Sequence, residues 1–173
     1  MVWARSLGLP VTSLGRTERG KPFFDGVPQW HFNISTTRGQ SVAALARSEV
    51  GIDWEWLGRE VSVLRIAQRY FFPNEIAWLE SAPAEEQRVR FHHLWTAKEA
   101  GVKLEGRGLY QGGLCSLQVE VPCEGERGQG QLEDRAIWFR RVQWPGDLLI
   151  TVAAFANFRL ALPGESPKVG EVH

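Results

Sequence analysis

Three carboxylates and two lysines carry the densest potential chemistry in this sequence. In Gly51-Ile52-Asp53-Trp54-Glu55 an extended backbone sends Asp53 and Glu55 to one face and Ile52 and Trp54 to the other. The two carboxylates then stand roughly 6–7 Å apart and repel by about 2–3 kcal/mol at an effective dielectric of about 20. Hard oxygen donors on a strand suit magnesium or another hard divalent cation, and no His/Cys cluster suggests zinc. A solvent-facing strand edge would show the same alternation. Further on, Phe91, Leu94, Trp95 and Val102 fall on one helical stripe, with His92, Thr96, Glu99 and Lys103 on a polar stripe beside it. Glu99 and Lys103 have the spacing of an ordinary surface ion pair. Lys98 does not fit that reading, because it falls inside the apolar stripe, where an ammonium must snorkel out or find an acceptor.

The elements that position these groups follow from periodicity. The chain has 173 residues, 43% of them apolar with eight Trp and nine Phe, enough for the core of one domain or of two small lobes. Twenty Lys and Arg balance twenty Asp and Glu, which argues against a general polyanion binder, so no nucleic-acid partner is expected. Met1 to Gly20 has no signal-peptide core and no apolar run is long enough to span a bilayer, so no membrane partner is expected and a cytoplasmic location is. Cys115 and Cys123 are read as unpaired thiols and receive no role.

Trp30 to Ile34 alternates as a strand, Ser35-Thr36-Thr37-Arg38-Gly39 reads as a polar loop, and Ser41 to Arg47 as the return strand of a hairpin. Val50 to Trp56 is a third strand. From Val61 the period becomes helical through Leu64, Ala67 and Phe71, ending at Pro73. Asn74 to Leu79 makes a second helix. Ser81 is the expected N-cap of a third running to about Leu104, where Gly106 and Gly108 stop it. Leu114 to Val121, Ala136 to Trp144 and Leu148 to Phe158 read as strands, with Cys123 to Gly130 a loop, Pro145-Gly146 a turn and the tail after Pro163 unstructured. Strands, then helices, then strands predict an α+β fold, a mainly antiparallel sheet with helices packed on one face.

The motifs Val50-Gly51-Ile52-Asp53-Trp54-Glu55, Phe71-Phe72-Pro73-Asn74-Glu75 and Leu94-Trp95-Thr96-Ala97-Lys98-Glu99-Ala100, with Lys103 one turn on, resemble the ordered motifs of the Sfp-type 4'-phosphopantetheinyl transferases. Gly20-Lys21-Pro22 and His31-Phe32-Asn33-Ile34-Ser35 are similar to two further family segments, so the resemblance runs from Gly20 to about Leu109. It implies an enzyme that moves phosphopantetheine from coenzyme A onto a serine of an acyl or peptidyl carrier protein, releasing adenosine 3',5'-bisphosphate. It also implies that Asp53, Glu55 and Glu99 hold magnesium, that Glu99 is the base, directly or through a metal-bound water, and that Lys103 contacts the departing phosphate with Lys98 as a helper. Lys21, Ser35, Thr36, Thr37 and Arg38 match the region that holds the nucleotide's phosphates in the family.

The chain departs from the family pattern in three places. Thr36 stands where members usually carry His, a bulky Trp54 separates the two strand carboxylates, and only about twenty residues precede Gly20-Lys21-Pro22, where two-lobed members have a fuller lobe. The expected organisation is a partial N-terminal lobe over 1–49, a metal-binding catalytic lobe over 50–162 and a disordered tail over 163–173. Two other readings stay open: a noncatalytic descendant that binds coenzyme A or a carrier, and a structural partner protein with an interface at exposed Trp54 and Trp56. Arg59, Arg65 and Arg69 offer basic positions for docking an acidic carrier helix, and monomer and homo-oligomer are both open.

Overall fold

Strands come first among the described residues. In the computed structural model, which describes residues 8–11, 13–106 and 113–162, β1 (Ser13–Arg16) pairs antiparallel with β2 (Pro22–Asp25), and β3 (His31–Thr37) with β4 (Gln40–Ala46). Next come β5 (Gly51–Trp56), α1 (Val63–Tyr70), α2 (Pro73–Glu80), α3 (Ala84–Glu105) and the short α4 (Gly113–Ser116). The chain then returns through β6 (Leu117–Val119), β7 (Arg127–Leu132), β8 (Arg135–Trp144) and β9 (Leu148–Ala154). β5 to β9 form one antiparallel sheet in the order β5-β9-β8-β7-β6, with β5 at its edge. The fold is therefore α+β, with antiparallel strands and helices packed on the sheet. No described helix is long and apolar enough to cross a membrane.

α3 is the central element because its second half is buried on nearly every side, against β5 and β9 along one flank and β6 along another. Phe91, Leu94, Ala97, Ala100 and Leu104 join Leu117, Ile137, Phe139 and Ala153 in the main core. The sheet's other face carries Ile52 and Val152, which cluster with Val50 and Ala44 of the β3–β4 side. A separate small core of Val11, Phe24, Val27 and Phe32 ties the first hairpin to β3.

One close fit brings α3 and β5 together. A Cβ on Gly51 would lie 2.0 Å from the Ala100 carbonyl oxygen and 2.5 Å from the Leu104 nitrogen, so only glycine lets the strand rest on the helix backbone. At the far end of α3, Gly106 caps the helix with φ 76°, a left-handed conformation that costs glycine little.

Several sequence expectations give way to tertiary structure. Ser35, Thr36 and Thr37 are not in a loop: β3 runs through Thr37, opposite Gln40, leaving Arg38 and Gly39 as a two-residue turn with φ 50° and 75°. The first helix ends at Tyr70, and Pro73 opens α2 instead of closing α1, since its missing N–H costs nothing at the first helical position. Pro83, not Ser81, is the N-cap of α3, and the Ser81 hydroxyl instead donates to the Trp78 carbonyl at 2.7 Å. Residues 114–116 are helical, so the strand expected over Leu114–Val121 shortens to β6. The expected loop at 123–130 contains the start of β7, whose glycines make room for neighbours: a Cβ on Gly130 would meet the Gln118 carbonyl oxygen at 2.6 Å. β9 stops at Ala154, four residues before the expected Phe158. Trp54 is 5% exposed, so it packs in the interior and cannot mark an interface. The expected tail after Pro163 and the stop at Gly108 lie outside the described residues.

Candidate active site

The alternation that puts Asp53 and Glu55 on one face of β5 turns that face toward α3, the same side on which Thr151 of β9 meets Thr96 of α3 at 2.7 Å. β3 lies alongside β5, joined by a side chain: the Ile52 N–H donates to Asn33 Oδ1 at 3.0 Å. Two residues on, the same face of β3 presents Ser35, whose hydroxyl donates to Asp53 Oδ1 at 2.9 Å. From α3, Lys103 Nζ reaches Asp53 Oδ1 at 2.6 Å and Ser35 Oγ at 3.0 Å, with Glu99 Oε2 at 3.7 Å. Glu55 accepts a hydrogen bond from the Trp95 side chain and has Arg59 at 3.8 Å. Residues from β3, β5 and α3 thus converge, and Gly51 permits it.

The electrostatics are those of crowded anions under partial cover. Burial raises the Asp53 carboxyl, opposed by Lys103. Glu55 is raised by burial and then by Asp53. Glu99 is pushed up to about 7, first by burial and then by Asp53, with Lys103 pulling the other way. Asp53 Oδ2 is buried without a hydrogen-bond partner. Among the described residues no three His, Cys, Asp or Glu side chains form a ready-made metal cage, and the ammonium of Lys103 sits on Asp53 where a cation would otherwise neutralise it. Even so, the donor set fits a hard divalent cation. Asp53 raises the pKa of Glu55 and Glu99, Glu55 raises that of Glu99, one ammonium sits among the three, and a buried oxygen lacks a partner.

Lys98 stands apart from this group. Its ammonium is fully buried, 2.9 Å from Glu75 Oε2 and bonded to the carbonyls of Leu114 and Leu117, under the rings of Phe71 and Phe72. Glu75 in turn accepts the Val119 N–H at 2.6 Å and the Phe72 N–H at 2.7 Å. Burial lowers the Lys98 pKa and Glu75 opposes that shift. The acceptor that its place in the apolar stripe demands is therefore Glu75, and this ammonium reaches neither Asp53 nor solvent. The helper role expected for Lys98 on a phosphate has no geometric support.

The nucleotide-region residues are dispersed. Lys21 lies over the end of α3, bonded to the Leu104 carbonyl with Glu49 at 3.8 Å. Ser35 joins the carboxylates, whereas Thr36 faces outward and shares a hydrogen bond with Ser41 at 2.7 Å. Thr37 is half-buried at the end of β3, and Arg38 stacks 4.3 Å from the ring centroid of Trp56. Sequence reasoning missed Trp95 as a polar contact, since its place in the apolar stripe hid the indole N–H. It also missed the role of Gly51, whose Cβ-free approach to a helix carries no local signal.

Residues 49–153 match the family described as the 4'-phosphopantetheinyl transferase superfamily. Over 107 residues the chain is 42% identical to the 4'-phosphopantetheinyl transferase psf-1 of Bacillus pumilus, covering 62% of this chain and 45% of that protein. It is 39% identical over 92 residues to the 4'-phosphopantetheinyl transferase Sfp of Bacillus subtilis, covering 53% and 40%. With the 4'-phosphopantetheinyl transferase AcpT of Salmonella typhimurium it shares 33% identity over 127 residues, covering 72% and 64%. The chain spans about half the length of the curated relatives it matches.

Proposed function

The chain belongs to the 4'-phosphopantetheinyl transferase superfamily, and from that premise we propose that it transfers phosphopantetheine from coenzyme A to a serine of an acyl or peptidyl carrier protein. The observation that carries the reading is the convergence of Asp53, Glu55 and Glu99 with Lys103 at the seam of β5 and α3. Residues 50–162 supply this seam, and 1–49 contribute Lys21, Ser35 and Arg38 beside it. A magnesium ion held by Asp53, Glu55 and Glu99 would supply neutralisation of charge on the pyrophosphate.

The chain's own residues do the rest. The serine oxygen bonds to the phosphorus that carries the pantetheine arm, and the pyrophosphate P–O bond breaks to release adenosine 3',5'-bisphosphate. The serine proton passes to Glu99, which burial and Asp53 push up to about 7 in the free protein. Lys103, bonded to Asp53 in the free protein, is within one helical turn of Glu99 and holds the departing phosphate. Ser35 orients Asp53 through their hydrogen bond. Arg38, stacked on Trp56, presents its guanidinium for the nucleotide's phosphates.

The test is incubation with coenzyme A, magnesium and apo carrier proteins, followed by mass spectrometry of the carrier. The parent adds the phosphopantetheine mass and Glu99→Gln loses about 100-fold or more in rate. A folded parent that modifies no carrier defeats the reading. One observation favours a second reading, a noncatalytic binder of coenzyme A: Thr36, which stands at the family's histidine position, faces outward and is bonded only to Ser41. Calorimetry showing coenzyme A binding indifferent to magnesium, without turnover, would establish that alternative.

A further inference from the structure

An open cavity of about 820 Å³ lies between β7, β8 and the segment after β9, and none of Asp53, Glu55, Glu99 or Lys103 lines it. Its wall carries four arginines, Arg127, Arg140, Arg141 and Arg159, together with His93 and a single carboxylate, Glu126. Two of the arginines, Arg127 and Arg140, face each other directly across the β7–β8 ladder, a placement of like charges that destabilises a sheet, and Arg140 is held there by donating from Nη2 to Asn157 Oδ1 and from Nη1 to the Phe139 carbonyl. Burial first, and Arg127 second, lower the pKa of Arg140.

Arg141 is the deeper anchor. It is 4% exposed, and its Nε and Nη2 atoms are buried with no hydrogen-bond partner. Its Nη1 has only the Gly125 carbonyl, at 3.5 Å. Among the described residues no carboxylate pairs with it, and the nearby Glu124 is already bonded to Arg90 at 3.1 Å. Gly128 leaves the guanidinium its space, since a Cβ there would lie 2.9 Å from Nη1. A buried guanidinium without a counter-ion is costly to a fold, whereas a guanidinium with free, co-directed N–H groups is what recognises a phosphate or carboxylate.

We propose that this cavity is a second binding site, for a small multivalent oxyanion bearing two or more phosphate or carboxylate groups, with Arg141 as its buried anchor and Arg127, Arg140 and Arg159 at its mouth. The proposal stands independently of the transferase reading, because it uses none of the transferase residues.

The test is calorimetric titration of the whole chain, with divalent metals chelated, against inorganic pyrophosphate and against citrate. The proteins compared are the parent, Arg141→Met, Arg140→Gln and, as a control for loss of one surface charge, Arg65→Gln. Saturable binding of at least one anion is expected, weakened about tenfold or more in Arg141→Met and Arg140→Gln, the loss that one charge-assisted hydrogen bond produces. Arg65→Gln, an exposed arginine of α1 that does not line the cavity, should bind as the parent does, and the tighter of the two anions tells whether the site takes phosphate or carboxylate. In urea without anion, Arg141→Met should be as stable as the parent or more so, because it removes an uncompensated charge. No saturable binding of either anion, equal binding by Arg141→Met, Arg140→Gln and the parent, or an Arg141→Met protein less stable than the parent without anion would each overturn the proposal.

Discussion

Replacing Gly51 by alanine tests the central geometric claim, that the site exists because a strand rests directly on a helix backbone. An added Cβ would lie 2.0 Å from the Ala100 carbonyl oxygen and 2.5 Å from the Leu104 nitrogen, both backbone atoms that cannot rotate away. Regaining ordinary contact of 3.4 Å means that β5 must withdraw from α3 by about 1.4 Å. The same shift would open the Lys103–Asp53 contact from 2.6 Å to about 4 Å, beyond hydrogen-bond length. Overpacking of this kind costs about 1–3 kcal/mol or more, which outweighs the roughly 0.5–1 kcal/mol that alanine gains over glycine inside a strand. An ångström of misplacement at reacting groups costs about 100-fold in rate. Gly51→Ala should therefore unfold at lower urea concentration and, where it stays folded, modify apo carrier about 100-fold more slowly. A variant as stable and as active as the parent would refute the claim that the seam between β5 and α3 positions the carboxylates.

Three further outcomes follow from the same coordinates. Lys98→Met leaves the buried Glu75 carboxylate without its cation and should cost about 3–5 kcal/mol in urea unfolding, much of it recovered when Glu75→Gln is added. His92 is 1% exposed with neither ring nitrogen bonded, and burial followed by Arg88 and Arg59 depresses its pKa from 6.5 to about 4. Because the unfolded chain takes up that proton first, its contribution is complete above pH 6.5 and is lost as pH falls toward about 4. His92→Leu should therefore flatten the stability profile over that window by up to about 3 kcal/mol, measured by urea titration at each pH. A profile of unchanged slope would show that the imidazole titrates normally. Glu99→Gln should slow transfer about 100-fold or more while leaving urea stability equal or higher, since it removes one of three crowded carboxylates.

Much of the site was legible in the sequence, for a physical reason: strand alternation and helical period fix direction before any tertiary contact forms. Asp53 and Glu55 could be put on one face of β5, and Glu99 and Lys103 on one flank of α3, without knowing what lay opposite. The misfit of Lys98 in an apolar stripe was legible too, but its partner was not. Glu75 lies in a segment that local pattern marks only as a helix start, and tertiary packing alone brings its carboxylate under α3. β7 was hidden because its Gly and Gln residues lack a strand's apolar alternation; its glycines answer to neighbours such as Gln118 and Phe139, whose positions no local window contains. The hydroxyl of Ser35 suits a turn by local pattern alone, yet in β3 it is aimed at Asp53. Trp54, expected at the surface, is buried because the sheet face behind the carboxylates is covered as well.

The two lysines of α3 show how chemistry and support divide within one helix. Lys98 gives its ammonium three acceptors, Glu75 and two main-chain carbonyls, and Glu75 gives each of its oxygens a backbone N–H. Nothing in that cluster is left to bind, so it rigidifies the join of α2, α3 and β6 without meeting a substrate. Five residues along, Lys103 is half-buried and shares its charge among carboxylates that outnumber it, while Asp53 Oδ2 goes unbonded. Such a cluster costs the fold free energy that a bound cation and a bound anion would return, the cation to the carboxylates and the anion to the lysine. The incomplete pairing around Lys103, set beside the complete pairing around Lys98, is why the proposed transfer is assigned to the seam of β5 and α3.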